Sequence, residues 1–162
     1  MDSIMAYPET TLYIKHFNDL SISELYDILR LRSEIFVVEQ DCVYQDLDGN
    51  DQAAVHIFAK ESVEGTETDE ERIIAAMRVF VDVDGEVRFG RVVVDASFRR
   101  RGIATMMLKK AIEIAAKDFA AKKIVLDSQT YAMDVYGGVG FVVDSDIFLE
   151  DGIPHRRMVL EL

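Results

Sequence analysis

Apolar residues recur with a helical period at three places along the chain. Behind Ser21, apolar side chains follow helical spacing, and Ser21 and Glu24 fit the first and last positions of a capping box. We therefore expect a helix from this point to about Val37. A second amphipathic stretch predicts a helix over Ile103–Phe119, and a short helix that ends in glycines is expected at Ala132–Gly138.

Other short runs are rich in apolar residues and predict β-strands. Two connections, at Asp84-Gly85 and Asp151-Gly152, carry residues typical of tight hairpin turns. Val92–Val94 is apolar without alternation, as expected of a central strand that is covered on both faces. The predicted strands are Leu12–Phe17, Ala54–Lys60, Ile73–Val81, Glu86–Val94, Ile124–Asp127, Phe141–Leu149 and Arg156–Leu160. This order predicts an α/β or α+β fold, in which helices flank one mixed, mostly antiparallel central sheet.

Two polar segments connect these elements. Glu39–Asp51 has the Asp and Gly composition of turns, and Ser62–Glu71 is acidic and poor in apolar residues, so we expect a solvated, mobile loop there. The acidic run that begins at Asp46 has its glycine at the fourth position, where a calcium-binding loop needs it at the sixth. We interpret that run as a turn and expect no metal site.

The charge balance restricts the classes of partner. The chain has 162 residues, with 18 Lys and Arg against 30 Asp and Glu, and its formal net charge is -12. Such acidity argues against a general nucleic-acid or anionic-membrane binder, since both need a positive surface. A nucleic-acid binder that uses Arg99–Arg101 is kept as a rival hypothesis.

The chain has a single cysteine, Cys42, so an internal disulfide is excluded. The first eleven residues lack the pattern of a signal peptide. No apolar run approaches the roughly 20 residues of a membrane span. We therefore expect a cytoplasmic protein.

An arginine-rich turn at residues 99–104 carries the most specific local signal, because it lies between a predicted strand and a predicted helix. Backbone N–H groups at a helix start have no partners within the helix, and the helix dipole adds positive potential there. Gly102 lets the backbone approach a phosphate closely, and the arginines add charge-assisted donors. The spacing differs from that of a P-loop and of a dinucleotide fingerprint. The turn therefore predicts diphosphate binding of another kind.

This turn resembles the Arg/Gln-x-x-Gly-x-Gly/Ala signature of the GCN5-related N-acetyltransferases. Arg99, Gly102 and Ala104 take its three defined positions. A second motif of the family is matched downstream, where the pattern Ala-x-x-x-Tyr-x-x-x-Gly-Phe falls on Ala132, Tyr136, Gly140 and Phe141. The two motifs and the element order make the chain similar to this family over essentially its whole length. The resemblance implies a single N-acetyltransferase domain over residues 1–162.

Further segments resemble the ElaA-like branch of that family, namely Phe36–Gln40, Asp46–Gly49, His56 and Leu149–His155. The chain also departs modestly from the family pattern. Ala96 replaces a proline that is common before the phosphate turn, which should affect stiffness more than chemistry. Gly138 and Val139 stand where charged residues are usual, and Gln129 stands where many members carry Asn.

The resemblance implies acetyl-coenzyme A as co-substrate. It also implies that backbone groups of the central strand hold the thioester and the pantetheine arm, while the arginine-rich turn holds the diphosphate. A bulge in that strand would splay the fold next to Ile124–Asp127 and open a slot. The residues that the resemblance places against the cofactor are Val92, Val93, Val94, Arg99, Arg100, Arg101, Gly102, Ile103, Ala104, Thr105, Gln129 and Tyr136.

The resemblance makes Tyr136 the candidate general acid. A tyrosine hydroxyl, with a pKa near ~10, can protonate a departing thiolate and is itself protonated at neutral pH. The attacking amine must lose a proton, and the candidate bases are Glu39, His56 and His155, with Glu39 preferred over His155. Cys42 is not expected to be a nucleophile, since the family transfers the acetyl group directly. The candidate acceptor-binding residues are Glu39, Gln40, His56 and His155.

We therefore expect an enzyme that moves an acetyl group from acetyl-coenzyme A directly to a primary amine of a small molecule or peptide. The alternative is a sensor or interaction module that keeps the fold and binds coenzyme A without catalysis. The expected partner is the amine acceptor, with neither nucleic acid nor membrane, and we keep a homodimer as a candidate assembly.

Overall fold

The computed structural model describes residues 10–62 and 71–162, and in them eight strands form one sheet. The strands are β1 (Leu12–His16), β2 (Val55–Ser62), β3 (Glu71–Val81), β4 (Val87–Val94), β5 (Lys123–Gln129), β6 (Val142–Val143), β7 (Phe148–Glu150) and β8 (Ile153–Glu161). The α-helices are α1 (Ile22–Arg32), α2 (Ile103–Asp118) and α3 (Met133–Gly137). None of the helices in this part of the chain is long and apolar enough to cross a membrane.

The sheet is mixed and mostly antiparallel, as predicted. Its strand order is β1-β2-β3-β4-β5-β8-β6, and β7 also pairs with β8. Only the central pair, β4 with β5, is parallel, and within the described residues its register covers two positions, Val87 with Ile124 and Arg88 with Val125. Beyond these positions the two strands separate toward their carboxyl ends.

A β-bulge in β4 accompanies this separation. Ala76 of β3 lies opposite Val93 of β4, and Arg78 lies opposite Gly90, so one residue of β3 faces two residues of β4. Arg91, within the bulge, has a φ of 51°. A bulge bends its strand and increases the local twist. The predicted bulge is therefore confirmed, and it opens the sheet at its centre.

Both faces of the sheet are covered by helices. Leu108 of α2 belongs to one apolar cluster, whereas Ile28 and Leu31 of α1 belong to another. The neighbouring residues Ile57 and Phe58 of β2 divide between the two clusters, as expected because successive side chains of a strand point to opposite faces.

The start of α1 has the predicted capping box. The Glu24 N–H donates to Ser21 Oγ at 3.0 Å, and the Ser21 N–H donates to Glu24 Oε1 at 2.9 Å. Lys15 and Lys60 also donate to the Glu24 carboxylate, at 3.0 and 2.9 Å. Burial alone would raise the pKa of Glu24, but the hydrogen bonds from Lys60, Ser21 and Lys15 outweigh it and lower this pKa to about 2.

The end of the chain differs from the prediction. The strand expected at Phe141–Leu149 is divided into β6 and β7, because the Ser145 hydroxyl between them accepts the Arg157 N–H at 2.8 Å in place of a backbone carbonyl. Polar side chains that bond to the backbone in this way compete with regular strand pairing. β8 is longer than predicted and begins at Ile153 rather than at Arg156.

Two further expectations concern the end of the first helix and the acidic connection after β2. The first helix does not stop at Val37, because a π-helical stretch, Ser33–Glu39, continues α1 by a further seven residues. The acidic connection expected at Ser62–Glu71 falls mostly on residues 63–70, which lie outside the described residues.

Candidate active site

A cleft of about 920 Å³ lies where β4 and β5 separate. One wall comes from the π-helical stretch and the loop after it, and another comes from β5, α3 and the β7–β8 hairpin. Of the predicted site residues, those that line the cleft are Glu39, Gln40, Val92, Val93, Val94, Arg99, Arg100, Gly102, Ile103, Ala104, Thr105, Gln129, Tyr136 and His155. Arg101 and His56 are not among the lining residues.

The turn before α2 offers backbone donors to the cleft. Gly102 precedes the first residue of α2 with a φ of 77°, and no side chain caps this helix start. A Cβ built on Gly102 would meet nothing within 4 Å, so the space beside it is open. Arg100 has a φ of 64° and lines the same end of the cleft. Uncapped N–H groups, open space and a nearby guanidinium fit a diphosphate group.

Arg99 and Glu39, which were predicted to bind different substrates, form an ion pair with each other. A terminal guanidinium nitrogen of Arg99 lies 2.8 Å from Glu39 Oε2. The Nε–H of Arg99 donates to the carbonyl oxygen of Val94 at 3.0 Å. The Glu39 carboxylate therefore already has a cationic partner, and Arg99 is held at the end of β4.

Tyr136 lines the cleft from α3, and its ring packs edge-on against Phe141, with 6.3 Å between the ring centroids. Burial raises the pKa of Tyr136 to about 12, and the neighbouring Tyr131 adds to this effect. Its hydroxyl is therefore protonated at neutral pH. The turn into Phe141 needs glycine at position 140, since Gly140 has a φ of 111° and a Cβ there would lie 3.0 Å from Leu160 Cδ1.

His155 reaches the cleft from β8 with a side chain that is 9% exposed. Its Nδ1 lies 2.7 Å from the carbonyl oxygen of Ile153. A carbonyl can only accept, so Nδ1 carries the hydrogen, and in the neutral ring Nε2 has the lone pair. Nε2 lies 3.5 Å from Glu150 Oε2, and the ring stacks on Phe148 with 6.0 Å between centroids.

A polar bridge joins the two walls of the cleft. Gln40 Nε2 donates to the Tyr131 hydroxyl at 2.9 Å, and Gln129 Nε2 donates to Gln40 Oε1 at 3.1 Å. Cys42 Sγ lies 3.6 Å from the carbonyl oxygen of Asp151 and adds a weaker contact between the same walls. Gln40 and Gln129, two predicted site residues 89 positions apart in the chain, are thus brought into direct contact.

Buried arginines hold the loop at residues 40–50, which forms part of the cleft wall. Arg32 Nη1 lies 2.7 Å from Asp51 Oδ1, and Arg78 Nη1 lies 3.0 Å from the same oxygen and 2.8 Å from Asp48 Oδ1. Burial alone would raise the pKa of Asp51, but Arg32 and Arg78 outweigh it and lower this pKa. The acidic run therefore serves as an anchor for arginines.

Arg91 completes this group from the bulge of β4. Its Nε lies 2.8 Å from Asp46 Oδ1, and its guanidinium lies over the Tyr44 ring at 5.6 Å from the centroid. We call the six side chains Arg32, Arg78, Arg91, Asp46, Asp48 and Asp51 the arginine–aspartate cluster. This cluster was not predicted from the sequence. The one available signal was Arg78, a charged residue within the apolar run of β3.

His56 was predicted to bind the acceptor, and the structure does not place it there. Its side chain is buried, at 1% exposure, below the turn that begins at Asp51, and Nε2 lies 2.9 Å from the Asp51 carbonyl oxygen. Burial lowers the pKa of His56, since charge is costly away from water. It therefore supports the arginine–aspartate cluster from beneath.

Comparison with protein families gives a match over most of the chain. A family model described as an acetyltransferase (GNAT) domain matches residues 37–162. A curated relative, UPF0039 protein C11D3.02c of Schizosaccharomyces pombe, is 40% identical over 149 residues, which cover 91% of this chain and 95% of that protein. Protein ElaA of Escherichia coli is 34% identical over 151 residues, which cover 91% of this chain and 94% of ElaA.

Comparison with solved structures also finds proteins that are similar to this chain over nearly its whole length. The crystal structure of Escherichia coli ElaA aligns with a TM-score of 0.81 and 31% identity, covering 94% of this chain and 99% of that one. An acyl-CoA N-acyltransferase from Pseudomonas aeruginosa aligns with a TM-score of 0.80 and 33% identity, covering 93% of this chain and 99% of that one.

Proposed function

Because this chain belongs to the acetyltransferase (GNAT) family, we propose that it transfers an acetyl group from acetyl-coenzyme A to a primary amine of a small molecule or peptide. One observation carries this proposal. The helix start at Gly102, which no side chain caps, and the partly buried, hydroxyl-bearing ring of Tyr136 line the same cleft. The first suits a diphosphate, and the second suits a leaving thiolate.

Acetyl-coenzyme A would lie along the separated end of β4. The N–H groups of the first turn of α2, together with Arg100, would hold the diphosphate. Backbone groups of Val92–Val94 would hold the pantetheine arm and polarise the thioester carbonyl, since strand positions that no longer pair with β5 have hydrogen-bonding groups to offer. Arg99 would keep its Glu39 partner and would offer its remaining guanidinium N–H groups to the incoming phosphates.

The reaction is a direct attack of the amine nitrogen on the thioester carbon. The nitrogen–carbon bond forms, the carbon–sulfur bond breaks, and Tyr136 gives its proton to the departing sulfur. Its raised pKa keeps the hydroxyl protonated at neutral pH, so that the proton is present when the thiolate develops. Tyr136 then regains a proton from solvent.

We assign the base to His155 rather than to Glu39. The Nδ1–H bond to Ile153 leaves Nε2 as the unprotonated nitrogen, so this ring can accept a proton from the amine. Glu39 is engaged by Arg99 at 2.8 Å and would have to give up that ion pair first. The two candidate bases thus differ in how much rearrangement each requires.

The proposal is tested with acetyl-coenzyme A and a panel of primary amines that includes amino acids, polyamines and peptides. Calorimetry measures cofactor binding, and a thiol assay measures the release of free coenzyme A. We expect binding, together with thiol release that depends on the amine. Binding without thiol release from any amine would favour the sensor or interaction module, and an absence of binding would contradict both functions.

A further inference from the structure

The β7–β8 hairpin fixes a carboxylate beside the candidate base. Its two-residue turn, Asp151-Gly152, has φ values of 52° and 78°, as in the tight turns that set hairpin register. Phe148 lies opposite His155, and Glu150 lies opposite Ile153. Glu150 and His155 are therefore diagonal neighbours on one face of the hairpin.

The contacts of His155 engage Nδ1 and one face of the ring, and they leave Nε2 available to accept a proton. The carbonyl of Ile153 takes the Nδ1 hydrogen at 2.7 Å, and Phe148 stacks on the ring at an interplanar angle of 24°. The remaining nitrogen, Nε2, lies 3.5 Å from Glu150 Oε2. That separation is longer than an ordinary hydrogen bond, and a charged ring would be attracted to the carboxylate across it.

Two charged side chains on the same face of the sheet as His155 are already paired. Asp127 of β5, which lies on the same face, accepts from Arg88 at 3.0 Å. Arg157, two residues along β8, lies 2.7 Å from Glu86. Tyr131, which follows β5 and lines the same cleft, has a pKa raised first by its burial, so its hydroxyl is neutral at neutral pH. Glu150, whose side chain is 52% exposed, is the carboxylate that makes an ion-pair contact with His155, at 3.5 Å from Nε2.

We propose that Glu150 is a positioning residue for this reaction: it acts through His155, and its carboxylate stabilises the ring when Nε2 takes up the amine proton. The inference rests on the proposed function. The proton leaves the amine nitrogen for Nε2, and from the protonated ring it passes to solvent at the exposed Glu150 carboxylate. Tyr136 separately supplies the proton for sulfur, so one proton is taken up and one is given in each turnover.

The test compares kcat and KM for thiol release across pH in the wild type, Glu150→Gln and Asp146→Asn. Asp146 is an exposed carboxylate just before the same hairpin and does not line the cleft, so its variant controls for the loss of one negative charge. For Glu150→Gln we expect the acid limb of kcat/KM to move toward lower pH, because loss of the carboxylate makes the protonated ring less stable. We also expect kcat at the plateau to fall about threefold, with KM for acetyl-coenzyme A unchanged.

A second comparison is a double-mutant cycle of Glu150→Gln and His155→Gln. If Glu150 acts through His155, Glu150→Gln should have no further effect in the His155→Gln background. An active wild type whose pH profile is unmoved by Glu150→Gln, or equal effects of Glu150→Gln with and without His155, would overturn this inference while leaving the acetyltransferase proposal intact. A wild type that releases no thiol with any amine would overturn the proposed function and this inference with it.

Discussion

Tyr136 is the side chain on which the proposed chemistry depends most directly. Its ring packs against Phe141, and only its hydroxyl is needed for proton transfer. Tyr136→Phe should therefore keep the fold and the affinity for acetyl-coenzyme A, and it should lower kcat by about 10²-fold or more. Calorimetry and thiol release measure the two quantities. Tyr26→Phe, which changes an exposed ring on α1, should leave both unchanged, and normal turnover in Tyr136→Phe would remove Tyr136 from the mechanism.

Gly102 gives a comparable test of the cofactor site. A methyl group at this position would enter open space in the cleft, and a φ of 77° is strained for any side chain. Gly102→Ala should weaken acetyl-coenzyme A binding about tenfold or more, measured by calorimetry, because the methyl group occupies the room needed by a diphosphate.

Gly85→Ala is the matched control for this change. Gly85 has a φ of 80° and equally open surroundings, but it lies in the β3–β4 hairpin and does not line the cleft. Its substitution should cost a similar amount of stability and leave cofactor affinity unchanged. Equal losses of affinity in the two variants would mean that backbone strain, and not the cleft, explains the Gly102 result.

The sequence revealed site residues whose role depends on local chain geometry. The turn at Gly102 and the approach to Phe141 are short motifs, and the predicted residues Gln129 and Tyr136 line the cleft. It could not reveal Glu150 as the neighbour of His155, because that contact depends on hairpin register. Nor could it place His56 correctly, since a histidine in an apolar strand can face either side of a sheet.

Glu24 allows a stability prediction at the level of one element, because it caps α1 and pairs with two lysines. Its pKa is lowered from 4.5 to about 2 in the folded state, so it stabilises the fold above pH 4.5, and this contribution is lost as the pH falls toward 2. Glu24→Gln should reduce the free energy of unfolding at neutral pH by about 2 kcal/mol. The deficit should shrink progressively below pH 4.5.

Urea unfolding between pH 2 and pH 7 measures this dependence. Glu34→Gln, which removes an exposed carboxylate paired with Arg30 on the same helical stretch, should cost less than about 0.5 kcal/mol at neutral pH. A deficit for Glu24→Gln that is independent of pH would mean that the ion pairs with lysine do not contribute.

Elements with a strong local pattern were predicted closely, and their deviations have long-range causes. The capping box follows from a short residue motif, and α2 follows from the helical period of its apolar residues. The π-helical continuation of α1 could not be predicted, since helical spacing alone does not distinguish it from an ordinary last turn. The division of Phe141–Leu149 depends on the Ser145 hydroxyl finding the Arg157 N–H, twelve residues away.

At the scale of the whole molecule, the cleft separates the sheet at its centre. Ion pairs between the neighbouring loop and the sheet stabilise the structure on one side of this cleft. β4 and β5 pair at two positions, while the loop at residues 40–50 is tied to the sheet by arginines from α1, β3 and β4. These contacts connect distant segments, so no local sequence pattern indicates them. The arginine–aspartate cluster thus allows a splayed sheet to keep a defined cleft wall.

Asp51 is the member of the cluster that joins two arginines, and its loss should be felt in both stability and substrate binding. Asp51→Asn would leave Arg32, at 1% exposure, without its shortest ion-pair contact. Arg32 keeps Asp46 and Arg78 keeps Asp48 as partners, so we expect a loss of about 1–3 kcal/mol in urea unfolding at neutral pH. The pKa of Asp51 is lowered in the folded state, and the loss should therefore diminish as the pH falls below 3.8.

The same variant separates the two proposed substrates, because the loop that Asp51 anchors borders the side of the cleft proposed for the acceptor, whereas α2 borders the side proposed for the diphosphate. At a temperature where Asp51→Asn is still folded, KM for the amine should rise several-fold while the Kd of acetyl-coenzyme A stays within about twofold. Asp19→Asn, at an exposed position, should change neither stability nor KM. An equal weakening of both substrates would show that the cluster supports the whole cleft rather than its acceptor wall.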